Sequence, residues 1–376
     1  MKKEIPKLKV LFLTYGGAHY KILNMLNKKF SAIFLMNVKF KEAFSKIFFH
    51  LEKLKINYIG SKFNFFFDAI SNSRKSDIIL SNCPFSGAVS FFTSPFSGAI
   101  GCLAGMFSGK KRVYIMCSDY YECFLISQKL NKLQKIAYGW LVRLMLWIAC
   151  RSSLVIVLSH HLEKVAKRHG ARKIKIVPIY GIDMTIFKPK SKRINFGTDK
   201  NIILTTARLC PEKGVEYVLE AVSKINDVFL VMVGPGNSKE LNDIITRLNI
   251  RDRVKVIGEV DPVSIADYYN SCDVFILPSK TEGLGFSSGE AMACKKPVIA
   301  SNVGGVSDMV IDGKTGILVP PADPDALCRA IKRVLGSKAL AKRLGENGYE
   351  HVKNNFEEKV VTEKFVTAIY EYYNGG

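Results

Sequence analysis

Short apolar runs recur along the whole chain, and most are continuous rather than alternating. In the first half they are Lys9–Thr14, Ala32–Met36, Asn57–Ile59, Asp77–Ser81, Arg112–Met116, Leu154–Leu158 and Lys175–Pro178. In the second half they are Asn201–Ala207, Val228–Val233, Val254–Gly258, Val274–Leu277, Val298–Ala300 and Ile317–Val319. A strand with one wet face alternates, whereas a strand covered on both faces is apolar throughout, so these runs predict parallel sheets sandwiched by helices. Amphipathic stretches lie between them, among them Glu216–Lys224, Glu240–Leu248, Ser288–Cys294, Asp325–Leu335 and Lys338–Asn355. A last helix, about Glu358–Tyr373, places Val360, Val361, Phe365, Ile369 and Tyr372 near helical spacing. The pattern predicts an α/β protein of two doubly wound domains. The expected domains are residues 1–185, residues 186–357, and a C-terminal helix over 358–376 that packs back on the first. Pro189 and the Lys/Ser run around it predict an exposed linker over Met184–Lys200.

Two stretches are apolar enough to be weighed as membrane spans. Ile78–Gly109 carries no charged residue, but Pro84, Pro95 and several glycines and serines interrupt it. Ile136–Cys150 is short and contains Arg143. Neither supplies the roughly 20 apolar residues of a span. The second predicts a helix with a wide apolar face, in the core or at a membrane surface. The nine cysteines form no C-x-x-C pair or zinc pattern, which predicts free thiols in a reducing cytosol. The apolar run Val10–Thr14 after the basic N-terminus is too short for a signal sequence and predicts a first strand.

Charge changes the picture. All of the net +22 lies in residues 1–190, with 31 Lys and Arg against 9 Asp and Glu, while residues 191–376 hold 24 of each. The break agrees with two domains, and the basic half predicts an anionic partner. Clusters such as Lys39, Lys41 and Lys46 are interleaved with Phe44, Phe48 and Phe49, so Lys39–Leu54 has the composition of an interfacial amphipathic helix. With no helix-turn-helix, zinc or RNA-binding motif, nucleic acid is not expected.

In doubly wound domains ligands sit at the carboxyl ends of the strands, so the loops there carry the candidate chemistry. Gly16-Gly17 follows the first strand, either as a phosphate-facing turn or as an ordinary tight turn. Arg208 and Lys213 share one strand-to-helix loop, a pair suited to neutralising a departing diphosphate. Glu282 stands in the Gly-rich loop Gly283-Leu284-Gly285-Phe286, and Glu290 lies eight residues on, inside the helix that follows. Such a loop turns backbone N–H groups and a helix N-terminus toward an anion. Glu282 could then meet sugar hydroxyls, and Glu290 could accept the hydroxyls of a ribose. Gly234 and the Asn302–Gly305 turn follow further strands and could line the same cleft, but for either one alone a plain tight turn is the first expectation.

Taken together, Arg208–Gly214, Glu282–Pro297 with its E-x7-E spacing and EAMAC helix, and Ser301–Pro320 resemble the retaining GT-B glycosyltransferases of family 4. Leu158-Ser159 and Pro178–Asp183 resemble that family's domain junction. The resemblance implies two Rossmann-like domains facing across a cleft, a nucleotide-sugar donor, and no cofactor or metal. Arg208 and Lys213 would bind the donor diphosphate, Glu282 the sugar and Glu290 the ribose. Gly16 and Gly17 would close over the reaction centre, with Gly234, Gly283, Leu284, Gly285 and Phe286 lining the donor. The acceptor would be a lipid-linked or other glycan at an anionic membrane surface, with the enzyme peripheral on the inner face of the cell membrane. The chain departs from the pattern at two points. The loop after Arg112–Met116, where many relatives carry a His, reads Cys117-Ser118-Asp119-Tyr120, so Asp119 could orient the acceptor or contact the sugar. Lys295 replaces the usual Gly after EAMAC. A GT-B epimerase and a non-catalytic binding subunit are the rival readings.

Three apparent motifs point elsewhere. Asp312-Gly313-Lys314-Thr315 ends like a Walker loop, but Asp308 occupies the position of its first Gly, which predicts a turn. Asp323-Pro324-Asp325 spells a metal-binding D-x-D but suits a helix start better. His160-His161 lacks zinc-protease spacing and predicts a helix that begins after Ser159.

Overall fold

The computed structural model describes residues 8–14, 29–37, 56–59, 62–82, 90–127, 131–179, 181–191, 193–236, 238–261 and 263–375. The chain divides into two compact units, one formed by residues 1–180 and 362–376, the other by residues 181–361. Gly16, Gly17 and the Lys39–Leu54 segment lie outside the described residues.

The first unit holds strands β1 (Lys9–Thr14), β2 (Ser31–Asn37), β3 (Ile56–Ile59), β4 (Ile78–Asn82), β5 (Lys111–Met116), β6 (Leu154–Val157) and β7 (Ile174–Ile176). They form one parallel sheet in the order β3-β2-β1-β4-β5-β6-β7. Its described helices are α1 (Lys62–Ser73), α2 (Ser90–Ser108), α3 (Tyr120–Ser127), α4 (Lys132–Cys150) and α5 (His160–Arg168). All four residues of β6 are buried, as are the last four of β5, which is why both runs are apolar without alternation. The α2 segment, weighed above as a span, packs on β4, β5 and α4. Among the described residues no helix is long and apolar enough to cross a membrane. Ser159 caps α5 through its side chain, so His160-His161 open a helix.

The second unit holds β8 (Asn201–Thr206), β9 (Val228–Val233), β10 (Val254–Gly258), β11 (Val274–Leu277), β12 (Val298–Ser301) and β13 (Ile317–Val319). Its sheet is also parallel, in the order β10-β9-β8-β11-β12-β13. Helices α6 (Val215–Ser223), α7 (Ser238–Arg247), α8 (Ile265–Ser271), α9 (Phe286–Ala293), α10 (Val306–Met309), α11 (Pro324–Leu335) and α12 (Lys338–Asn355) accompany it. Leu230, Val274, Ile276 and Ile299 of the sheet join Val218, Leu219, Ile331 and Leu344 of the helices in one core. In each sheet the order in which successive strands are laid down reverses once, between β1 and β4 in the first unit and between β8 and β11 in the second. The last helix, α13 (Glu358–Asn374), lies mostly in the first unit. There Tyr370 stacks on Phe30, and Lys111 donates to the carbonyl of Tyr373 at 2.6 Å.

The stretch Met184–Lys200 is not a free linker. Phe187 packs edge-on against Tyr269, and Lys190 N–H donates to Asn270 at 2.7 Å. Arg193 donates to the Ser271 carbonyl and to Asp273, both at 2.8 Å. The sequence read as a linker because these partners lie about 80 positions away, beyond any local pattern. The chain crosses between units at Tyr180–Gly181, just before this strap, and again at Val361–Thr362.

The other apparent motifs are structural. Asp323 accepts from Ala326 N–H at 2.8 Å, with Pro324 in the first turn of α11, so the D-x-D is a helix cap. Residues 312–315 form a tight turn ahead of β13, with Gly313 at φ 67°. Burial pushes the thiols of Cys150, Cys272 and Cys294 up to about 12, far from a reactive thiolate. Lys295 sits at φ 57°, the left-handed region that glycine occupies without strain. Its side chain is exposed, with Nζ 5.0 Å from the Tyr349 ring centre. Replacing it with glycine should therefore raise stability by about 0.5–1 kcal/mol in urea unfolding; a loss of stability would show that the Tyr349 contact outweighs the strain.

Candidate active site

The strand order of the second sheet reverses between β8 and β11, so the loops leaving these strands flank one crevice, and every second-unit candidate except Gly234 comes from these loops or from α9, which follows the second of them. The loop after β8 runs from Ala207 to a short 3-10 turn, Pro211–Lys213, and ends at Gly214 with φ 59°. A Cβ on Gly214 would meet the Pro278 carbonyl at 2.3 Å, so glycine there lets the two loops touch. The loop after β11 carries Ser279 and Glu282 and ends at Gly285, whose φ of 81° turns the chain into α9.

Lys213 and Glu282, 69 positions apart, form an ion pair within hydrogen-bond distance. Ser279 Oγ donates to the same Glu282 oxygen at 2.9 Å, which fixes the carboxylate. Both side chains are mostly buried, at 19% and 14% exposure, yet each keeps an accessible edge. Arg208 is more open and lies 3.3 Å from Glu212. Glu212 is itself anchored, since its carbonyl accepts from Lys280 N–H at 2.9 Å. Two cations and two carboxylates thus stand at the mouth of the crevice, each cation already held by a partner. An arriving diphosphate would find Arg208 and Lys213 in place rather than having to order two long side chains.

Glu290 lies on α9, where Tyr269 Oη donates to its Oε2 at 2.8 Å. Tyr269 Oη also bonds Thr206 Oγ1 at 2.7 Å. Burial raises the Tyr269 hydroxyl well above the usual tyrosine range, with the Glu290 carboxylate adding to the effect, so it stays a neutral donor. This relay orients Glu290. Nothing in local spacing announces it, because Tyr269 and Thr206 belong to other elements, and sequence reasoning missed both. Ser288, in the first turn of α9, buries its hydroxyl without a hydrogen-bond partner. Gly283, Leu284 and Gly285 are buried, and Phe286 is half-buried at the start of α9.

Gly234 has a backbone role. Its φ is 143°, and a Cβ would lie 1.9 Å from the Ala207 carbonyl. Glycine there lets the loop after β9 lie against the loop after β8, where Leu209 N–H donates to the Pro235 carbonyl at 2.7 Å. Gly304 does the same for Glu282, since its Cβ would stand 2.0 Å from the Glu282 carbonyl. Gly305 N–H donates to that carbonyl at 3.1 Å.

Asp119 lies in the first unit, where its Oδ1 accepts from Glu122 N–H at 3.0 Å and caps the start of α3. The fold brings His161, from the start of α5, to the same place. One ligand atom each from Asp119, Glu122 and His161 lies within 4.8 Å of the others. The loop that lacks a histidine in sequence therefore has an imidazole beside it in space. The two histidines at the start of α5 were the available signal, and they read as a plain helix start.

Residues 187–351 match the family model for glycosyl transferases group 1. A glycosyltransferase of Methanocaldococcus jannaschii is 31% identical over 192 residues, which cover 50% of this chain and 53% of that protein. A D-inositol 3-phosphate glycosyltransferase of Catenulispora acidiphila is 31% identical over 190 residues, covering 46% and 44%. The chain thus spans about half the length of these curated relatives. Among solved structures, sucrose-phosphate synthase of Thermosynechococcus elongatus superposes with a TM-score of 0.77 at 21% identity, over 98% of this chain and 100% of that one. HepE of Anabaena, solved in complex with UDP, superposes with a TM-score of 0.78 at 19% identity, over 97% and 100%. At these identities the structural matches establish the fold, two Rossmann-like domains of the GT-B type.

Proposed function

From a second unit that is a glycosyl transferases group 1 domain, we propose that the protein transfers a sugar from a nucleotide-sugar donor to a hydroxyl of an acceptor, with retention at the anomeric carbon. The observation that carries this reading is the Lys213–Glu282 pair beside Arg208 at the switch point of the second sheet. In the reaction the bond between the anomeric carbon and the diphosphate oxygen breaks, and the diphosphate leaves with added negative charge. Lys213 and Arg208 stabilise that charge, and Glu282 holds the sugar through its hydroxyls. Tyr269 fixes Glu290 to accept the ribose hydroxyls. The acceptor hydroxyl loses its proton to the leaving diphosphate, so the protein supplies alignment and charge stabilisation more than a nucleophile. Asp119 is assigned to orienting the acceptor in the first unit. The HepE structures that contain UDP and UDP-glucose support a uridine donor.

The net +22 held by residues 1–190 supports a lipid-linked acceptor on an anionic membrane, with the enzyme on the cytoplasmic face. Each Lys or Arg near such a surface contributes about 1 kcal/mol.

A thermal-shift series with UDP-, GDP- and ADP-glucose tests the donor. A ligand bound only by the native state at a hundred times its Kd adds about 2.7 kcal/mol of stability. UDP-glucose should raise the melting temperature and the other two should raise it less. No shift with any nucleotide sugar would sink the reading.

A further inference from the structure

Helix α4 presents two apolar faces. Gly139, Val142, Leu146 and Ala149 are buried in the first unit. A second stripe, Leu133, Ile136, Trp140, Leu144 and Trp147, recurs at spacings of three and four and is 78%, 54%, 71%, 51% and 46% exposed. Both tryptophans of the chain stand in this stripe. The helix is a built element and not a frayed one, because Asn131 and Gln134 close a reciprocal capping box at its start. At its end the Arg151 guanidinium lies 3.7 Å from the Trp147 ring centre. An exposed apolar stripe of this size on a folded helix marks a surface that meets something other than water.

Charge selects the partner. Between Glu122 and Glu163 the chain has no acidic residue, while Lys129, Lys132, Lys135, Arg143 and Arg151 are all cationic. A second copy of this face would bring the same cations against themselves, whereas an anionic bilayer neutralises them. Tryptophan flanked by arginine suits the headgroup level, where the ring is half in hydrocarbon and the guanidinium stays in water.

We propose that α4 lies in the plane of an anionic membrane, with the Leu133–Trp147 stripe in the acyl-chain boundary and the cations at the headgroups. This rests on the membrane reading above and assigns it to one surface. It does not depend on the Lys39–Leu54 segment.

The two tryptophans make the test direct, since all indole emission of the full chain reports on this stripe. Vesicles of phosphatidylglycerol and phosphatidylcholine should bind the protein, shift its emission to the blue, and quench it when the acyl chains are brominated. Pure phosphatidylcholine vesicles should bind far less, and salt should weaken binding. Because the changed side chains are exposed, W140E/L144E should keep the melting temperature while losing about tenfold or more in vesicle affinity. Binding without a blue shift, with the variant bound equally well, would overturn the assignment to α4 and leave the membrane reading standing. No binding to anionic vesicles would overturn both. A wild-type dimer in solution that W140E/L144E dissociates would show that the stripe meets a second copy, and would also overturn the proposal. The donor thermal-shift series is independent of every one of these outcomes.

Discussion

Lys213→Ala should lower glycosyl transfer by about 10²–10³-fold, the loss expected when one preorganised group that stabilises developing charge is removed. Glu282→Ala should be at least as damaging. The two changes act differently. Without Lys213, the Glu282 carboxylate keeps only the Ser279 hydroxyl at this oxygen and meets the incoming diphosphate as a like charge. Without Glu282, the cation remains for the diphosphate but the sugar loses its acceptor of hydroxyl hydrogen bonds. K213A should therefore weaken donor binding as well as turnover, while E282A should act mainly on turnover. Stability separates function from architecture. Removing both charges together leaves no buried ion unpaired, so K213M/E282Q, which keeps much of the volume, should melt near the wild type and still fail to transfer. Wild-type turnover in either single variant would refute the site assignment.

Gly234→Ala should be the most destabilising single-atom-scale change in the second unit, by roughly 3 kcal/mol or more in urea unfolding. Two penalties coincide there. The backbone holds φ at 143°, and the new methyl would lie 1.9 Å from the Ala207 carbonyl, which belongs to a backbone that cannot turn aside as a side chain could. Gly313 provides the control. It also has positive φ, at 67°, but a Cβ there meets nothing within 4 Å. Gly313→Ala should cost only about 1–2 kcal/mol, the price of the left-handed conformation alone. Equal losses at the two positions would show that the close approach to Ala207 contributes nothing. Because Gly234 packs against the backbone of Ala207, the residue before Arg208, its alanine variant should also weaken donor binding in whatever fraction remains folded.

The strands were legible in the sequence because parallel strands buried on both faces are written as unbroken apolar runs. Val228–Val233 and Val274–Leu277 emerge with the predicted limits. The site loops were legible for a related reason. Gly-rich turns after such runs fall where doubly wound sheets bind ligands, so Arg208, Lys213, Glu282 and Glu290 could be picked out. Their partners could not. The Lys213–Glu282 pair and the Thr206–Tyr269–Glu290 relay join residues brought together only by the order in which β8 and β11 meet. The same limit hid His161, which reaches Asp119 from another helix, and turned the Met184–Lys200 strap into an apparent linker. Spacing reports what lies within a turn or two of helix, and these contacts span tens of residues.

The two ends of the second unit are hydrogen-bonded to each other. Ile182 N–H donates to the Phe356 carbonyl at 2.7 Å, and Glu358 N–H returns a bond to the Ile182 carbonyl at 3.0 Å. Gly181 makes the approach possible, since a Cβ there would meet the Glu358 backbone at 2.5 Å. Residues 181–361 are thus a cassette with adjoining ends, spliced into a first unit whose own chain resumes at Thr362. A cassette of that kind can be exchanged as one continuous piece without lengthening the host at the splice. Donor choice could be swapped between proteins of this architecture while the basic half and its α4 surface stay as they are.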